Sequence, residues 1–127
     1  MQDRFKFRVW KGQENRMVYD VTYLNPLILD PAIKEENKHN ILMQCTGLND
    51  KNGKLIYESD IVRFKDNITI NGSKTHIAVI EHNETFNTFM YHAECMGLYT
   101  VNKAQNEKFN VEVIGNIYEN KELLNEI

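Results

Sequence analysis

The chain has 127 residues, 42% of them hydrophobic and 26% charged, which suits one globular domain and excludes a fibrous or disordered polymer. Its net charge of −3 supplies no global basic field to gather nucleic acid. No apolar run reaches the roughly 18 to 20 residues that span a bilayer, so no membrane association is expected. The opening, MQDRFKFRVW, is charged from its third residue and lacks the apolar segment of a signal peptide, so a cytoplasmic location is expected.

Residues 4–10, RFKFRVW, alternate. Phe5, Phe7 and Val9 share one strand face; Arg4, Lys6, Arg8 and Trp10 share the other. The plain reading is an amphipathic strand, and the functional one is a basic ridge beside a stacking Trp. A turn over 11–15 leads to a β-branched and aromatic run, 16–24, so the two segments predict a hairpin. Asn25-Pro26 and Asp30-Pro31 mark a loop, since a residue before Pro avoids helical geometry. Asp30-Pro31 also has N-cap chemistry, which allows a short helix over 32–38, followed by a polar loop.

Residues 40–45 predict a strand entering the central stretch, 44–66. Its Asn52-Gly53 pair is a hairpin signal, because both residues tolerate the positive φ of a type I′ turn. Ile61 to Phe64 is the next strand, with turn residues on either side of Ile68-Thr69-Ile70. Residues 74–83 form a long strand with Thr75, Ile77, Val79 and Glu81 on one face and His76, Ala78, Ile80 and His82 on the other. Residues 85–91 return from a turn at Asn83-Glu84. Residues 98–109 read as a strand followed by a loop or a short helix. Residues 111–118 read as a strand in which Gly115-Asn116 marks a bulge or a close backbone approach. One or two helical turns close the chain, with Leu123, Leu124 and Ile127 docking on the body.

Many short strands with frequent turns predict a small β-barrel or strongly bent sheet. One domain over 1–127 is expected, divisible into two β subdomains that share a core: 1–39 with the C-terminal segment, and 40–100 as the barrel.

Candidate chemistry is sparse. Zinc needs about four convergent ligands, and only His92 and Cys95 have a short ligand spacing, with His76 and His82 sharing a strand face. Cys45 and Cys95 are distant and without CxxC, and are expected to be buried thiols. Neither has the orienting group that a Cys-His pair requires. Glu58 with Asp60, or Glu112 with Glu119, are the carboxylate pairs. Asp60 is expected to cap a turn or accept backbone N–H groups instead. The glycines form no phosphate loop. No catalytic, cofactor-binding or metal residue is assigned and no cofactor is expected. Glu58, Asp60, Gly115 and Asn116 are expected to matter to the fold. Lys51, Lys54, Arg63 and Lys65 in the central hairpin, with the basic N-terminal face, keep a nucleic-acid-binding module as the alternative.

Three blocks resemble the YopX-like proteins of bacteriophages and prophages. The first is Arg4-Phe5-Lys6-Phe7-Arg8-Val9-Trp10. The second runs from Met43-Gln44 through Thr46-Gly47-Leu48, Asp50-Lys51-Asn52-Gly53-Lys54 and Ile56-Tyr57-Glu58 to Asp60-Ile61-Val62. The third is Glu112-Val113-Ile114-Gly115-Asn116-Ile117-Tyr118-Glu119-Asn120 with Leu123-Leu124. Cys45, Ser59 and Lys121 depart from the pattern, which more often has an aromatic residue, Gly, and Pro or a polar residue there. Should position 59 need φ > 0, Ser would strain it by about 1 kcal/mol. The resemblance implies a mainly β fold, an SH3-like barrel with an additional N-terminal β-hairpin, and a tendency to self-associate. It implies no established activity. The expectation is therefore a non-enzymatic phage or prophage accessory protein in the bacterial host cytoplasm. It would act by protein–protein contact as a homo-oligomer or with an unidentified phage or host protein.

Overall fold

The alternating N-terminal run forms β1, Phe7–Lys11, and turns back into β2, Arg16–Val21, with Asn15 in the left-handed region at φ 51°. The structure, a computed structural model, describes residues 6–21, 38–66, 74–93 and 99–126. β3, Asn40–Asn49, pairs with the other edge of β1, and β4, Leu55–Tyr57, pairs with β3, giving the order β2-β1-β3-β4. A second antiparallel sheet contains β5 (Asp60–Asp66), β6 (Lys74–Asn83), β7 (Thr88–His92), β8 (Tyr99–Thr100) and β9 (Glu112–Asn116), in the order β8-β7-β6-β5-β9.

This second sheet is a half-barrel, with β6 at its centre. The first half of β6 pairs with β5, from Lys74 to Val79, and the second half pairs with β7, from Val79 to Asn83. The two pairings overlap only at Val79, so β5 and β7 are staggered along β6 on its opposite edges. The protein is thus mainly β, with a barrel-like sheet and an additional N-terminal hairpin, as the sequence implies.

Alternation along β5 sends Val62 and Phe64 inward and Arg63 and Lys65 outward. Phe64, Ala78, Ile80, Tyr91 and Phe109 are the centre of the buried cluster. Phe109 comes from α1, Lys103–Phe109, which Asn102 caps by accepting from the N–H of Gln105 and Asn110 ends with φ 52°. Its ring stacks on Phe64 at 4.8 Å and meets Tyr91 edge-on at 5.9 Å. The Tyr91 hydroxyl donates to Asn106 Oδ1. Burial raises its pKa, so it holds its proton as a donor across the ordinary pH range.

Two turns differ from expectation. At residues 50–54, Gly53 alone takes positive φ, at 82°, and its N–H donates to Asp50 O at 3.0 Å. This is a type I turn closed by a left-handed Gly rather than type I′, because Asp50 accepts from the N–H groups of Asn52 and Lys54 and winds the chain around its own carboxylate. The return after β6 starts at Thr88, not 85, because Asn83 Oδ1 accepts from the Phe86 N–H and extends the loop to Asn87, at φ 50°. Residues 32–37 of the possible helix, the run 68–70 and Cys95 lie outside the described residues.

Ser59 has φ 72°. Its N–H donates to Ile80 O at 2.7 Å and its carbonyl accepts from Ile117 N–H at 3.1 Å, so neighbours on both sides hold the strained conformation. Ser59→Gly relieves the Cβ clash at some entropic cost in the unfolded chain. Urea denaturation is expected to show a net gain of about 0.5 kcal/mol with an unchanged m-value. An unchanged or lower midpoint would count against stored strain at this turn.

Candidate functional site

Among the described residues, the basic N-terminal face is interrupted at Arg8. Arg8 is 2% exposed and points into the protein. Its Nη2 lies 2.9 Å from Asp60 Oδ1 and donates to Glu58 O at 3.0 Å, while Nη1 donates to Tyr19 Oη at 3.4 Å. The guanidinium also sits over the Tyr57 ring at 4.8 Å. Asp60 Oδ2 accepts from the Tyr57 N–H at 2.8 Å, the backbone role expected of it. Burial pushes the Asp60 carboxyl above its usual pKa, against the pull of the Arg8 guanidinium and the Tyr57 N–H. Trp10 stacks on Tyr118 at 5.5 Å. Arg8 thus spends its charge inside the fold, Trp10 is half-buried against Tyr118, and Arg4 lies outside the described residues.

Two more polar hubs also serve the architecture. Asp50 is 7% exposed, and its second oxygen reaches the Val113 N–H of β9 at 2.9 Å, beside a bond from Lys51 N–H to Val111 O. A carboxylate and a turn therefore occupy part of the β9 edge that a further strand would have used. At the end of β9, Asn116 Oδ1 accepts from the N–H groups of Tyr118 and Glu119 at 3.0 and 2.8 Å. A Cβ on Gly115 would fall 2.5 Å from Asn120 Oδ1, which explains the Gly. The β5–β9 register slips between Gly115 and Val113, which is the bulge that the sequence suggested.

The other candidates are scattered. Cys45 is buried, and its Sγ accepts from the Gly47 N–H at 3.4 Å. His92 is exposed, 3.6 Å from Glu81; His76 lies against the Phe64 ring and His82 against that of Phe89. No group of three or more potential metal ligands converges among the described residues. Glu58 Oε1 accepts from the Gln44 N–H while Asp60 faces Arg8, so each of the two carboxylates has its own partner.

Side chains do gather on the outside of the half-barrel. Arg63 donates to Glu112 Oε1, and Lys51 Nζ is 3.8 Å from Glu112 Oε2. The Arg63 guanidinium holds the Glu112 carboxyl below the usual glutamate range. Lys51, Arg63, Lys65, Thr75, Asn110 and Glu112 line a groove of about 190 Å³. Lys51 and Asn110 also line a cavity of about 750 Å³ between the 48–51 segment and α1, whose far wall carries Lys103, Asn106 and Glu107. The sequence pointed to Lys51, Arg63 and Lys65 but not to the α1 residues. Positions 103, 106, 107 and 110 follow the three- and four-residue spacing of one helix face, a signal that was present within a segment read only as loop or short helix.

The fold and its hubs define a mainly β module of two antiparallel sheets, cross-tied by Arg8–Asp60 and by Asp50, with one polar cleft beside its short helix. The chain belongs to the YopX family, whose description, YopX protein, matches residues 6–125. It is also similar to the crystal structure of protein EF1440 from Enterococcus faecalis, with 26% identity and a TM-score of 0.65 over 94% of this chain and 96% of that one. No curated protein matches the chain.

Proposed function

We propose that the protein is a non-enzymatic phage or prophage accessory module that works in the bacterial host cytoplasm by protein–protein contact, including contact with its own copies. The observation that carries this reading is Phe86, 61% exposed on the turn between β6 and β7. Tyr19, Ile41 and Leu124 are also at least 40% exposed. Large apolar side chains left in water at turn tips and on strand faces gain most from a protein partner. The buried polar residues support the same reading, since Arg8, Asp50, Asp60 and Asn116 all hold the fold together.

Light scattering after size exclusion, with absorbance at 260 and 280 nm, tests the reading. A discrete multiple of the 15.0 kDa chain with a protein-like absorbance ratio is expected. Phe86→Ser and Ile41→Ser are expected to shift that multiple toward monomer while leaving the thermal midpoint within about 2 °C, as surface changes do. A monomer that binds no protein would remove the reading. The alternative, a nucleic-acid-binding module, draws on the convergence of Lys51, Arg63 and Lys65 on one groove. Co-purifying 260 nm absorbance that nuclease removes would favour it.

A further inference from the structure

We infer that the cleft between the 48–51 segment and α1, with the groove that continues it past Lys51, is the binding site for an extended, acidic segment of a protein partner. This rests on the protein–protein reading above and assigns it a site separate from the exposed apolar side chains.

The cavity, at about 750 Å³, has the size of a ligand pocket, and Lys51 and Asn110 join it to the 190 Å³ groove. Its wall contains an incomplete group. Asn106 is only 6% exposed, its Oδ1 accepts from Tyr91, and its Nδ2 has no hydrogen-bond partner among the described residues. Turning the amide over would only exchange the satisfied atom for the unsatisfied one. A buried amide group left unpaired is costly, and because this Nδ2 has almost no accessible surface it reaches an acceptor in the cleft only when the Asn106 side chain turns outward.

Charge selects the class of ligand. Lys51, Lys103, Arg63 and Lys65 face the combined cleft, against Asp50, Glu107 and Glu112. The Asp50 carboxylate is taken up by three backbone N–H groups, and Glu112 by Arg63 and Lys51. That leaves Lys65 and Lys103, among the described residues, as cations without an ion-pair partner, with Glu107 the opposing charge in the lining. A small positive excess suits a segment bearing one or two carboxylates. A nucleic-acid strand would bring a phosphate with every nucleotide, against Glu107 and Glu112, and the cleft offers it no exposed aromatic ring for stacking. Asn49, Asn106 and Asn110 match a peptide better, since each amide can pair with a backbone N–H or C=O, and Leu48 gives one apolar contact.

Fluorescence anisotropy tests the assignment with the full chain and three fluorescein-labelled probes: a Glu-Ser repeat peptide, its Gln-Ser counterpart and an oligo-dT strand. Saturable binding of the Glu-Ser peptide is expected, weakened about tenfold by Gln for Glu and about tenfold by Lys103→Glu, a change at an exposed helix position. Asn106→Leu removes the Nδ2 donor and is expected to weaken binding. Because Asn106 is buried, its circular dichroism must match wild type, and Lys103→Glu carries the test if it does not. Equal binding of both peptides, no effect of Lys103→Glu, no saturation, or tighter binding of oligo-dT would each overturn the assignment. Failure of the cleft leaves the scattering result in place, so a retained oligomer would show that only the site was wrong.

Discussion

Arg8→Met is expected to destabilise the protein by about 3–5 kcal/mol, the cost of removing one member of a buried ion pair. The mechanism is desolvation. Asp60 is 2% exposed, and in the variant its carboxylate would face a thioether. Glu58 O and Tyr19 Oη also lose the donor they share. Met fills much of the space, so the loss reports the stranded charge rather than a cavity.

The pH dependence separates this account from a packing defect. Burial already raises the Asp60 pKa above the ordinary aspartate range, and removal of the guanidinium takes away the largest opposing influence. A carboxyl with a raised folded-state pKa binds more protons folded than unfolded. Its contribution is therefore most favourable below the unfolded pKa and is lost as pH rises through the folded one. The deficit of Arg8→Met should be smallest in acid and grow toward neutrality. Adding Asp60→Leu removes the stranded charge and should recover most of the loss, leaving the unpaired Glu58 carbonyl as the remainder. A deficit that is flat with pH and unrelieved in the double variant would show that shape, not charge, is what Arg8 supplies.

The sequence carried the strands well and the cross-ties poorly, for physical reasons. Alternation is local, so the faces of β5 and β6 could be read from successive residues, and Val62, Phe64, Ala78 and Ile80 lie where that pattern puts them. Gly115 and Asn116 were legible because a turn that excludes a Cβ has few residue choices. The fate of Arg8 was not legible. Alternation places it opposite Phe7 and Val9, but only a partner 52 positions away decides whether that face meets water or Asp60. The same applies to the cleft. Lys51 and Lys103 face one cavity because Phe109 stacks on Phe64 and draws α1 over the sheet, a contact that no window of sequence contains.

Asp50→Ala is expected to cost about 3 kcal/mol, and the loss should be divided unequally among the three N–H groups that the carboxylate holds. The donors at Asn52 and Lys54 belong to an exposed turn, where water can replace the lost acceptor. The Val113 N–H belongs to β9 and is held 2.9 Å from Asp50 Oδ2, so it bears most of the penalty. Amide hydrogen exchange reads this directly: protection at Val113 should fall by far more than protection at Ile80, which belongs to the core cluster. Asp50→Asn refines the test. An Asn can present its oxygen to the turn or to β9 but not to both, and its NH2 group then meets a donor on the other side. It should lose about half as much as Ala, with either the turn or the Val113 amide deprotected but not both. The second half-barrel edge depends on this one side chain, so equal loss of protection across all of β5 and β9 would mean that Asp50 stabilises the fold globally instead of capping that edge.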